Sequence, residues 1–156
     1  MLKINIVAIG KDKDAWVTSG CEHYLKLISR WAKVSFDILP ALKGGSSLSP
    51  AEVMAQEADR FEKHLGDTKY IALGERGKRL DSHGFAELLS RWEQTSGGSV
   101  TLLIGGAYGL DDRLLKRADQ TLSLSPMTFS HQLVRLVLLE QIYRGFSLLR
   151  GSPYHK

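Results

Sequence analysis

SVTLLIGGAYGLDD, residues 99–112, decides the fold. Its first eight residues form the most apolar run of the chain and read as a strand buried on both faces. Two glycines end that run, and Asp111 opens a short helix to about Arg117. A strand that passes through a glycine turn into a helix is the repeating unit of α/β proteins.

The same unit appears on either side. LKINIVAIG (2–10) is rich in β-branched residues and ends on glycine. Residues 14–30 place Trp16, Val17, Cys21, Tyr24, Leu25 and Ile28 at helical spacing. VSFDIL (34–39) is a second strand, and 40–49 a flexible polar loop. Ser49-Pro50-Ala51-Glu52 is a capping box with proline at the first helical position, opening a helix to about Leu65. KYIALGE (69–75) is a strand, Ser82 to about Thr95 a helix, QTLSLS (120–125) a strand, and Ser130 to Arg150 the last helix. No internal repeat and no splitting linker interrupts 1–156, so a single domain is expected. Strands alternating with helices predict a mostly parallel sheet with helices on both faces. Such sheets bind ligands at the carboxyl ends of their strands. That rule selects Leu73-Gly74-Glu75, Ile104-Gly105-Gly106 and Leu124 to Phe129.

Composition narrows the class. The chain has 156 residues, 43% of them hydrophobic, with three tryptophans, which suits one domain with a real core and excludes a disordered chain. A net charge of +4 suits a nucleic-acid or phosphate partner, and a solvated surface equally. The lone cysteine, Cys21, reads as a small core residue and excludes an internal disulfide framework or a multi-cysteine metal site. The five histidines show no metal spacing. No signal peptide opens the sequence and no apolar run reaches membrane-spanning length, so no membrane, no metal and a cytoplasmic location are expected.

The last helix is apolar almost all the way round, yet His131 and Arg135 stand one turn apart at its start. They share an arc with Leu138, Leu139, Ile142, Phe146 and Leu149. Glu140, Arg144 and Arg150 fall opposite. Burying an unpaired guanidinium is costly. Arg135 therefore needs a carboxylate, a row of carbonyls, a ligand anion or an open cleft; a salt bridge across a subunit interface would also serve. Ser130 suits an N-cap, and the loop SLSPMTF before it offers hydroxyls and a helix N-terminus to a polar ligand. The G-G-x-x-G of 105–109 lacks dinucleotide or Walker spacing, so an ordinary tight turn and a ligand-facing loop both fit it. Tyr154 and His155 form either a frayed end or a base-stacking tail. Arg76, Lys78, Arg79, Arg113, Lys116 and Arg117 are either surface charge or phosphate contacts.

Taken together, INIVAIGK, LLIGG followed by Gly109-Leu110, SLSPMTF, HQLVR, LLEQIYR with its later LLRG, and the final PYHK span the whole chain. In these motifs the sequence resembles the RlmH-type ribosomal RNA large subunit methyltransferases of the SPOUT class. The family often reads GGPEG or GGSNG where this chain has GGAYG, and commonly has proline where this chain has Ser130. The resemblance implies a C-terminal trefoil knot, which periodicity does not reveal. It implies a homodimer that transfers a methyl group from S-adenosyl-L-methionine to N3 of a pseudouridine in 23S rRNA within the assembled ribosome. Carried onto this chain, the cofactor residues are Leu73, Gly105, Leu124, Ser125, Pro126, Met127, Thr128 and Phe129, with no metal. The chemistry on the RNA side falls to Arg135, His131, His155 and Tyr154. On that reading Arg135 is only partly buried and its partners are the ligands. His131 or His155 accepts the N3 proton, and one subunit's tail completes the other's site. Two other classes remain open: a nucleotide-metabolite enzyme on an unknotted sheet, and a ribosome-binding factor without cofactor.

Overall fold

The computed structural model describes residues 1–44, 47–95 and 97–156. Gly45 and Ser46, part of the polar loop expected at 40–49, lie outside the described residues. Five strands and five helices alternate among them. They are β1 (Leu2–Ile9), α1 (Ala15–Ile28), β2 (Ala32–Leu39), α2 (Pro50–Leu65), β3 (Ile71–Arg79), α3 (Ser82–Thr95), β4 (Ser99–Leu103), α4 (Asp112–Arg117), β5 (Gln120–Ser123) and α5 (His131–Leu149). The strands form one parallel sheet in the order β2-β1-β4-β3-β5. The expected parallel α/β architecture is the one found.

The alternation of β1 sorts the core into two layers, because successive side chains leave a strand on opposite faces. Leu2, Ile4, Ile6 and Ala8 join residues of α1, α3 and α5 in one apolar cluster. Val7 and Ile9 join Phe61 and Leu65 of α2 and Leu114 of α4 in the other. Towards their carboxyl ends β1 and β4 are buried on both faces, and there their sequences run apolar without alternation, as Ile6-Val7-Ala8-Ile9 and Leu102-Leu103.

One departure from the predicted elements matters for the site. The third strand does not stop at Glu75 but leaves the ladder and returns. Leu73 and Lys78 both pair with Leu122, so residues 74–77 form a loop thrown out from the sheet. Gly77 lies directly on β5: a Cβ there would sit 2.7 Å from the main-chain carbons of Thr121 and Leu122. Only a residue without a side chain permits that approach.

Candidate active site

The carboxyl ends of β3, β4 and β5 open onto a cavity of about 620 Å³, a size that suits a small-molecule ligand. Three segments supply most of its wall: the thrown-out loop 73–77, the turn 104–110 after β4, and the loop after β5 from Leu124. Gly105 is required where the middle segment folds back on itself. A Cβ there would fall 2.6 Å from the Gly109 carbonyl carbon and 2.8 Å from the Leu110 nitrogen.

Of the predicted cofactor residues, Leu73, Gly105, Leu124, Ser125, Met127, Thr128 and Phe129 line this cavity. Pro126 does not. The reason is local: the Ser125 hydroxyl accepts from the Met127 N–H at 3.0 Å, closing a turn that sends Pro126 into solvent. The Ser123 hydroxyl donates to the Ser125 carbonyl at 2.9 Å and fixes the same loop from its start. Sequence reasoning missed Met54 of α2 and Leu115 of α4, which also line the wall. The helix of Met54 follows β2, so only the packing brings that side chain here, whereas α4 continues directly from the turn after β4.

His131 lines the cavity as well, at the first turn of α5. Ser130 caps that turn, its hydroxyl accepting from the Leu133 N–H at 3.2 Å. Burial first, then the positive charges of Arg135 and Lys13, hold the imidazole below its ordinary proton affinity. It therefore keeps a nitrogen free to take up a proton near neutral pH.

Arg135 departs from expectation. It is not partly buried but 1% exposed, and its partners come from its own chain. Nη1 donates to Asp12 Oδ1 at 2.7 Å, and Nη2 donates to the carbonyls of Ile9 and Gly10 at 2.9 and 2.7 Å. The carboxylate and the row of carbonyls are both supplied by the turn after β1. Gln132 grips the same turn, donating to the Lys11 carbonyl at 3.0 Å. The start of α5 is thus clasped to the end of β1. Within the clasp, the Arg135 Nε and the Gln132 Oε1 are buried without a hydrogen-bond partner among the described residues. Cys21 packs beside this clasp, and burial and the Asp12 charge push its thiol up to about 11. It is the inert core residue its sequence suggested.

The tail is ordered against the far half of α5. The Tyr154 hydroxyl donates to Glu140 Oε1 at 3.1 Å and lies 3.2 Å from the Tyr24 hydroxyl, with its ring edge-on to Tyr143. Burial, with the Tyr24 hydrogen bond and the Glu140 charge, keeps that hydroxyl protonated. His155 Nδ1 lies 3.2 Å from Arg144 Nη1, and its ring stands edge-on to His83. Glu140 is nine residues along the helix from His131, a rise of about 14 Å. Within one chain, therefore, the fold brings His131 to the cavity wall but does not bring Tyr154 or His155 there. Among the described residues no helix is long and apolar enough to cross a membrane, and no group of metal ligands is present.

Comparison with known proteins gives a consistent result. Residues 2–155 match a family model described as "Predicted SPOUT methyltransferase". The chain is 40% identical to the ribosomal RNA large subunit methyltransferase H of Alkaliphilus oremlandii, over 99% of this chain and 100% of that protein. It is 43% identical to the protein of the same name from Bacillus thuringiensis, with the same coverage. The crystal structure of a probable methyltransferase from Bordetella pertussis superposes with a TM-score of 0.55 at 14% identity. That match covers 92% of this chain and 96% of the other, a likeness of fold.

Proposed function

The chain belongs to the SPOUT methyltransferase family, and from that premise we propose that it transfers a methyl group from S-adenosyl-L-methionine to N3 of a pseudouridine in 23S rRNA within the assembled ribosome. The observation that carries this reading is the cavity at the three strand ends, with His131 on its wall. The curated relatives are named as ribosomal RNA large subunit methyltransferases, which supports the RNA substrate.

The cavity suits the cofactor. Leu73, Leu110, Leu115, Leu124 and Phe129 offer apolar walls for an adenosyl group. The fold-back at Gly105 presents bare backbone where a side chain would not fit. When bound, the cofactor supplies an electrophilic methyl group on a sulfonium. The chain's task is then positioning and proton handling. His131 is the group placed to accept the N3 proton, since its surroundings keep it neutral. Arg135 acts as a positioning residue: by holding the turn after β1 it fixes the first turn of α5, and with it His131.

The protein acts as a homodimer, with Tyr154 and His155 of one chain meeting the cavity of the other. Two observations support this. Trp16 on α1 is 59% exposed, and Leu133, Leu136 and Val137 of the neighbouring α5 are only half covered. The C-terminal segment is threaded through a loop as a trefoil knot, a reading supported by membership of the SPOUT family. One domain, no metal and a cytoplasmic site of action complete the proposal.

The test is transfer of labelled methyl from S-adenosyl-L-methionine to ribosomes lacking the modification, followed by mass analysis of rRNA fragments. One methyl on a single pseudouridine is the expected result. Unlabelled rRNA at saturating cofactor would refute the proposal.

A further inference from the structure

α2 buries a charge that none of the steps above uses. Glu57 stands on the helix's apolar stripe, one turn from Val53 and one from Phe61, and is 8% exposed. Its Oε1 is closed to solvent and has no hydrogen-bond partner among the described residues. Burial raises the proton affinity of the carboxyl, opposed by Arg60. A carboxylate in that state is poorly solvated, and any positive charge nearby relieves it.

The carboxyl is aimed at the glycine turn. A Cβ on Gly106 would come 2.6 Å from Oε1 and closer still to Oε2, so the side chain is seated against a residue that has none. Gly106 itself lines the cavity at the strand ends, as does Met54, one turn before Glu57 on the same helix. One glycine separates the carboxyl from the cavity. The acidic residues on the rim, Glu75 and Asp112, are exposed and screened by water. A charge acting through packed protein is screened far less.

S-adenosyl-L-methionine carries a fixed positive charge on sulfur, and its by-product S-adenosylhomocysteine does not. We infer that Glu57 is a specificity-determining positioning residue whose buried carboxylate, acting across Gly106, makes the cavity prefer the cationic cofactor to the neutral by-product. The inference rests on the cofactor cavity proposed above. It gives the enzyme a means of releasing product, since transfer of the methyl group removes the charge that Glu57 favours.

The experiment is calorimetric titration of the full chain and its Glu57→Gln variant with three probes, S-adenosylmethionine, S-adenosylhomocysteine and the amine analogue sinefungin. Mildly alkaline pH favours the ionised form of a carboxyl whose proton affinity burial raises. Glu57→Gln preserves shape and removes charge. It is expected to weaken the two cationic probes about tenfold and to change S-adenosylhomocysteine affinity by less than about twofold. Its melting temperature should rise, because an unpaired buried charge is gone. Glu57→Asp keeps the charge and should keep most of the preference. Equal weakening of all three probes, no change in any, or a preference lost as fully in Glu57→Asp as in Glu57→Gln would overturn the inference. A wild-type chain that binds none of the three fails at the cofactor cavity itself, and takes the inference with it.

Discussion

Arg135 shows what a single charge on an apolar arc can and cannot tell. Its position required a partner, and that much follows from desolvation. Which partner was a matter of packing: the carbonyls of Ile9 and Gly10 and the carboxylate of Asp12, over 120 residues away in sequence. Arg135→Ala leaves Asp12 and two carbonyls without their donor. It should cost about 3–5 kcal/mol, read from urea denaturation. Removing Asp12 in addition should cost less than the sum of the two single changes, because the orphaned charge goes with it. His131 yields a second prediction at this scale. Its proton affinity lies below the ordinary imidazole value, so the neutral base persists to lower pH. The acid limb of kcat/KM should fall below about 6.5, and His131→Asn should abolish that limb. The linked stability has a definite sign. The unfolded chain takes up this proton first, so the group opposes folding as pH drops through the ordinary histidine range. Glu57 bears the same signature as Arg135, a charge between Val53 and Phe61 on an apolar stripe. It was as visible in the sequence as Arg135 was. Its meaning waited on the approach of Gly106.

At the scale of elements, the ends of helices and strands carry the site. The Ser130 hydroxyl holds the start of α5 by accepting from the Leu133 N–H. Ser130→Ala should cost about 1 kcal/mol in stability and loosen His131, lowering kcat more than cofactor affinity. Turnover unchanged would show that the cap holds the helix without holding the histidine. The turn after β4 is less forgiving. Gly105→Val drives side-chain atoms into the Gly109 and Leu110 backbone, so calorimetry should detect no cofactor binding while circular dichroism stays near wild type. The positions of these elements were legible, since period 3.6, β-branched runs and caps are local signals. The return of β3 to Arg79 was not. The residues 74–77 between its two halves read as the end of a strand, and only pairing with Leu122 from both sides reveals a loop.

For the whole molecule, the question is how the tail and the cavity meet. Tyr154 and His155 are held by Glu140, Tyr24 and Arg144, away from His131. A site completed in trans makes a specific demand. A chain carrying Gly105→Val and a chain lacking residues 153–156 should each be inactive, yet their mixed dimer should recover methyl transfer, because one cavity and one tail remain intact. Light scattering should give twice the 17.4 kDa of one chain. A monomer, or a mixture as inactive as its parts, would confine the chemistry to one chain.

The sequence by itself determined the alternation of strands and helices, the parallel sheet, the edge of that sheet onto which the cavity opens, and the demand that Arg135 be satisfied. Each of these rests on the chemistry of residues within a few positions of one another. The tertiary structure decided the strand order, the thrown-out loop 74–77, the wall that Met54 adds, the clasp on Asp12, and the carboxyl of Glu57 behind Gly106. These depend on which distant segments pack together. That choice is made by burial of the two core faces as a whole, and no local pattern encodes it.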